Sequence, residues 1–323
     1  MKKKNIRYQM AVLVMALLLC GCGNLSGSQK EIQLPDDGRT ESGAGEEICF
    51  TDDLGRQVNL KPPKKAAALI GSFADIWLLA GGELAAAAND SWDSLSLPLG
   101  EQVVNLGNIT APDVERLIAS QPDLVLASAN TDADLALKDI LEQANIPTAY
   151  FSVSNFEEYL HMLEICTSLT GRKDLYEENG LKVLEEIRQV KERVDGSSPR
   201  VLFLRASAGS VKAKGSEGNV CGEMLADLGC INIADGEDRL LEDLSMEAVI
   251  AADPDYIFIT TQGSNQEAAM ENVEQILLQN PAWNTLSAVK EGRYYVLDKR
   301  LYNLKPNARW GEAYRGLADI LYK

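Results

Sequence analysis

Residues Val114–Ser128 read VERLIASQPDLVLAS, and Met246–Thr260 read MEAVIAADPDYIFIT. Glu115 matches Glu247, Ile118 matches Ile250, Ala119 matches Ala251, Pro122 matches Pro254 and Asp123 matches Asp255. Each copy is a short helical pattern, a Pro-Asp turn, and an apolar run of strand length. Proline ends the helix and the aspartate caps the turn into the strand. A chain that writes this unit twice in the same register is built from two related halves.

The flanking sequence extends both copies. Before the first, AAALIG (66–71) reads as a buried strand, SFADIWLLAGG as a helix stopped by Gly81 and Gly82, and ELAAAAND as a second strand. After it, DLALKDILEQANI reads as a helix and PTAYFSV as a strand. The second half runs through strand RVLFLRA, helix GEMLADLG, strand CINIAD, the repeated helix and strand, helix ENVEQILLQN and strand RYYVLD. Alternating strands and helices of these lengths predict α/β lobes, each a mostly parallel sheet with flanking helices. Between the halves, NFEEYLHMLEICTSLTG is a helix ended by Gly171, followed by RKDLYEENGLKVLEEIRQVKERV. Tyr176, Leu184, Ile187, Val190 and Val194 stripe this second stretch. It predicts one connecting helix of roughly 35 Å, a stiff joint that Gly180 weakens by only about 1 kcal/mol.

The ends carry addresses rather than fold. Lys2, Lys3, Lys4 and Arg7 precede an apolar Met10–Leu19, too short to span a bilayer core of roughly 30 Å. This reads as a signal peptide over residues 1–21. Its end, Leu19-Cys20-Gly21-Cys22, resembles the lipobox of bacterial lipoproteins, which makes Cys22 the lipidated residue and residues 22–46 a disordered polar tether. The expected domains are then a lobe at 47–170, the connecting helix at 171–195 and a second lobe at 196–323. Cleavage removes the four basic residues and takes the formal charge from −17 to −21, which excludes nucleic acid as a partner. Cys49, Cys166, Cys221 and Cys230 lack metal-type spacing. If GEMLADLG is helical, Cys221 and Cys230 lie roughly 13 Å apart along its axis, which favours free thiols over a disulfide.

The hairpin-like FTDDLGRQVNL, the two repeated segments, PAWNTLSAVKEGRYYVL and LKPNARWGEAYRGLADILY, in that order, resemble the substrate-binding proteins of ABC importers. The resemblance is to the rigid class that captures ferric siderophores, haem or cobalamin, and it covers Cys49 to Lys323. It implies a monomeric, lipid-anchored extracytoplasmic receptor at the cell membrane that has no cofactor of its own. It also implies delivery of a small-molecule metal chelate to a permease dimer and its ATPase, the chelate being a ferric siderophore or, alternatively, cobalamin or haem. In that family a glutamate at the start of the repeated helix of each lobe pairs with arginines of the permease, which assigns docking to Glu115 and Glu247. A helix N-terminus alone also favours glutamate, by about 0.3–1 kcal/mol.

Ligands of two-lobed α/β proteins sit between the lobes at the carboxyl ends of the strands. That rule puts GSFAD (71–75), NDSWD (89–93), GNIT (107–110) and residues 128–130 on one wall. Residues 205–214, Thr261-Gln262 and KRLYNLKPNARW form the other. The expected ligand contacts are Ser72, Phe73, Trp92, Asn108, Arg205, Tyr302, Arg309 and Trp310. Aromatic planes and arginines suit a ring-rich, anionic chelate. Trp77 and Trp283 fall on apolar helical patterns and are expected in the core. The only histidine, His161, lies within a helix, which argues against direct Zn²⁺ or Mn²⁺ capture and against a Ser-His-Asp hydrolase. No GxSxG elbow or phosphate loop follows a strand, so an enzyme is not expected.

Overall fold

The computed structural model describes residues 47–263 and 265–322. The expected signal peptide, polar tether and lipidated Cys22 lie outside the described residues. The chain opens with an antiparallel hairpin, β1 (Ile48–Thr51) against β2 (Gln57–Leu60). Buried Asp52 holds its turn by accepting from the backbone N–H of Leu54 and Arg56 and from the Arg56 guanidinium. The same carboxylate accepts from Tyr150 N–H at 3.2 Å, tying the hairpin to the first lobe.

The first lobe's sheet is all parallel: β3 (Lys65–Ala68), β4 (Glu83–Ala87), β5 (Val104–Asn105), β6 (Leu124–Ser128) and β7 (Thr148–Phe151), in the spatial order β5-β4-β3-β6-β7. The second lobe orders β10 (Ile231–Asn232), β8 (Arg200–Ser207), β11 (Tyr256–Thr261) and β12 (Tyr294–Val296) in parallel, and adds β9 (Ser210–Lys214) antiparallel to β8. In both sheets the connection reverses direction beside the first long strand, between β3 and β6 and between β8 and β11. These are the switch points at which such sheets open a crevice.

The duplicated segments fold alike. Helix Val114–Ala119 is capped by Asp113, and helix Met246–Ala252 by Ser245. Matched Gln121 and Asp253 both turn left-handed, at φ 47° and 39°, ahead of their buried prolines. Asp123 then accepts from Lys64 and Lys65 N–H and donates its own N–H to Lys65 O. Asp255 likewise accepts from Arg200 N–H at 2.8 Å and donates to Arg200 O. Each aspartate thus fixes the start of one central strand to its neighbour.

Strand alternation divides the core. Leu202 and Leu204 join Val249, Ile257, Ile259 and Trp283 on the outer face of the second sheet. Ala67, Leu69, Leu106, Leu117, Val125 and Tyr150 fill the corresponding face of the first. The opposite faces meet in one continuous cluster, in which Phe73, Trp77, Phe151 and Phe156 of the first lobe join Phe203, Phe258, Trp310 and Tyr314 of the second. Trp77 and Trp283 are both fully buried, as their helical patterns predict.

The connector is helical over residues 173–191, shorter than its apolar stripe predicts and interrupted by a π-helical turn at Glu177–Leu181. Gly180 explains the interruption: a Cβ there would lie 2.7 Å from Leu160 Cδ1, so the bare backbone lets the preceding helix, Phe156–Thr170, pack against it. Tyr159 donates to the carbonyl of Asn179, and Asn179 donates to Leu79 O. On the other side Val183, Ile187 and Val190 pack into the shared cluster with the final helix, Trp310–Leu321. The connector is therefore packed along one face, with its Glu and Lys residues turned to solvent. Cys221 and Cys230 are free, as their spacing favours.

Candidate functional site

The switch points of the two sheets face one cleft. Ile70 follows β3, Ser128 ends β6, Arg205 lies on β8, and Gln262 follows β11; all four line it. The cleft has two compartments that meet at Asn303, with volumes of about 180 Å³ and about 430 Å³. The larger falls within the range of roughly 300–1,000 Å³ common for small-molecule sites.

Arg205 and Lys305 dominate the smaller compartment. Arg205 follows Phe203 at strand spacing, so its side chain leaves on the face shared by the lobes, beyond the last core residue. Its Nε is buried and has no hydrogen-bond partner. Burial pushes the guanidinium pKa down, because desolvation disfavours the charged form. Lys305 Nζ stands 5.8 Å from the centre of the Phe73 ring. Desolvation also lowers its pKa, opposed by Asp90 and assisted by the Arg205 charge. Two partly desolvated cations side by side suit an anion with several acceptor oxygens.

The larger compartment is lined by Asp90, Asp93, Asn108 and Lys299, among others. Asp90 accepts from Gly71 N–H at 2.9 Å, and burial raises its pKa against this bond and the nearby lysines. A Cβ on Gly71 would come 2.7 Å from Ser91 N, so glycine is needed for this approach. Lys299 reaches across the cleft: its Nζ donates to Gly263 O at 2.7 Å and lies 3.5 Å from Ser94 Oγ of the first lobe. Asn307 makes a second bridge, donating to Ser72 O and Asp75 Oδ2 at 2.9 and 2.7 Å.

Of the eight residues expected to contact ligand, Arg205 and Asn108 line the cleft. Trp92 is half-buried and packs against the shared core. Five need correcting. Phe73 and Trp310 are fully buried, the latter edge-on to Phe156 at 6.2 Å and close to Tyr314. Tyr302 is buried and donates to Ala313 O, and Ser72 is buried with its carbonyl taken by Asn307. Arg309 is exposed and held in a two-bond pair with Glu312 at 2.7 and 2.8 Å. The reason is common to the tryptophan and tyrosine: Trp310, Tyr314, Leu317 and Leu321 form the apolar stripe of the last helix, which closes over Tyr302. The residues missed are Lys299 and Lys305, within the loop expected on the wall, and Asp90, within NDSWD. Glu115 and Glu247 are exposed in the first turns of their helices. His161 is exposed, 3.9 Å from Asp53, and lines neither compartment. No group of metal-ligating side chains occurs among the described residues.

The family model described as periplasmic binding protein matches residues 67–301, and the chain belongs to that family. An iron-uptake system-binding protein of Bacillus subtilis is 22% identical over 314 residues, covering 91% of this chain and 90% of the relative. A putative ABC transporter substrate-binding lipoprotein of the same organism, YhfQ, is 20% identical over 321 residues, covering 92% and 91%. Among solved structures, the siderophore-binding protein BauB, bound to two molecules of acinetobactin and ferric iron, aligns with a TM-score of 0.69 at 19% identity, covering 86% of this chain and 99% of that one. The relatives are binding proteins, and this chain is a substrate-binding protein rather than an enzyme.

Proposed function

We propose that this chain is a lipid-anchored extracytoplasmic receptor that binds a ferric siderophore, or a similar anionic iron chelate, in the inter-lobe cleft and delivers it to an ABC importer permease. The observation that carries the ligand class is Arg205, whose buried Nε lacks a partner and whose charge stands beside Lys305 in an otherwise acidic chain. A buried donor of this kind is costly unless a ligand satisfies it. The iron-related names of the relatives agree with an anionic metal chelate. Anchoring rests on Leu19-Cys20-Gly21-Cys22, and docking on Glu115 and Glu247.

The test is a tryptophan-fluorescence titration of the chain beginning after Cys22 against ferric catecholate, ferric hydroxamate, ferric citrate, haem and cobalamin, with inner-filter controls. Saturable quenching by one anionic ferric chelate at sub-micromolar concentration is expected. Saturation by cobalamin alone, or silence across the panel from folded protein, would overturn the ligand class.

A further inference from the structure

Most of the duplicated segment is used by the fold. Pro122 and Pro254 are buried, Leu117 and Val249 fill the outer cores, and Asp123 and Asp255 clamp strand starts. The remaining matched residues are exposed in both lobes: Glu115, Ile118 and Ala119 on one helix, Glu247, Ile250 and Ala251 on the other. Positions i, i+3 and i+4 share one helix face. Ile118 is 39% exposed and Ile250 is 40% exposed. A single exposed isoleucine needs no explanation. The same isoleucine beside the same carboxylate, at the same place in two lobes that have otherwise diverged, has no role in either core. The neighbouring bases do not neutralise these carboxylates by direct pairing, since Arg116 pairs with Asp113 and Arg239 with Glu237.

We infer that these two trios are matched docking patches for a two-fold symmetric membrane partner, which offers each an apolar hollow beside a guanidinium or ammonium group. The inference rests on the permease-delivery reading and adds to it an apolar contact made by Ile118 and Ile250. Three observations support this occupant. A helix leading into a parallel strand runs back along the sheet, so the first turn of each helix lies toward the carboxyl ends of the strands, the side on which the cleft opens. A two-fold partner presents one socket twice, and this chain presents one patch twice. Charge also selects the partner: a second copy of this chain, at −17, would set carboxylates against an acidic surface, whereas a cationic socket complements them.

The experiment measures binding of the lipid-free receptor to its permease in nanodiscs by interferometry, for Ile118→Ser, Ile250→Ser and the double variant. Each single change is expected to weaken binding by about tenfold and the double change by about a hundredfold, from lost burial of one half-exposed isoleucine per lobe. Circular dichroism and the melting temperature should match those of the wild type, and Ile118→Leu with Ile250→Leu should retain binding. A double serine variant that binds like the wild type overturns the inference. Glu115→Ala with Glu247→Ala, measured alongside, separates the two readings. Loss in the glutamate pair alone removes the apolar contact and leaves permease docking intact; no loss in either pair removes both. Wild-type self-association in sedimentation that the double serine variant abolishes assigns the face to a second copy, and likewise overturns the inference.

Discussion

Arg205 occupies the position at which the inward face of β8 passes from core to solvent-facing cleft, two residues beyond Phe203. Removing its guanidinium by Arg205→Ala is expected to weaken ligand binding by roughly 10–100-fold, in the range of a charge-assisted hydrogen bond pair. Arg205→Lys should restore only part of this, because an ammonium does not reproduce the planar fork; titration of both variants checks it. Asp134 offers a pH test. It is fully buried, accepts from Ser128 N–H at 2.7 Å and leaves Oδ1 unpartnered, and desolvation raises its pKa to about 6 from the ordinary 3.8. Because the folded value exceeds the unfolded one, its contribution to stability is intact below about pH 4 and is lost as the pH rises through 6. Asp134→Asn should therefore be more stable than the wild type by about 1–3 kcal/mol at pH 8 and indistinguishable near pH 4, as read from denaturant midpoints. At this scale the sequence was only partly legible. Polarity and strand-end placement put Arg205 and Asn108 on the cleft wall, which they line, but an aromatic side chain near a strand end serves a wall or a core equally well. Only the packing of the last helix decides for Trp310 and Tyr302. The lysines were missed because Lys299 and Lys305 look like surface residues until the lobes enclose them.

Elements were read more successfully than side chains, because hydrophobic period is averaged over many residues. The repeated helix at Met246–Ala252 and the strand after it lie where the pattern puts them. Strand β9 was missed: SVKAK alternates inward Val211 and Ala213 with outward lysine, but over too few residues to stand out from a loop. Docking belongs to this scale. Glu115→Ala with Glu247→Ala should abolish uptake into cells while leaving ligand affinity in the titration unchanged. The π turn at Gly180 supplies an element-scale test of stability. A leucine there would drive its side chain into Leu160 and Leu163, so Gly180→Leu should lose about 1–3 kcal/mol in chemical denaturation despite the better helix propensity of leucine.

At the scale of the whole molecule, the sequence pattern implies two lobes on a strut, whereas the lobes share one apolar cluster that also takes in the apolar face of the connector. Periodicity reports which face of an element is apolar but not that two such faces meet each other. The shared cluster predicts one cooperative heat-absorption transition by calorimetry, with calorimetric and van't Hoff enthalpies in agreement; two resolved peaks would contradict it. Lys299 and Asn307 bridge the lobes at the cleft, so opening must break these bonds without disrupting the cluster behind them.

The final helix adds a consequence for biogenesis. Trp310 rests against Phe156, and Arg193, just past the connector, donates to Ala318 O and Tyr322 O. A nascent chain emerging from its amino end can assemble the first sheet early and cover its inner face with helices Gly71–Leu79 and Phe156–Thr170, yet the apolar stripe of the connector and the ring of Phe156 stay uncovered until residues 310–321 arrive. Contacts so distant in sequence form late. Until they do, the exposed surface would be a target for export chaperones and proteases, and a message interrupted shortly before its end would produce degraded protein rather than a receptor lacking one lobe.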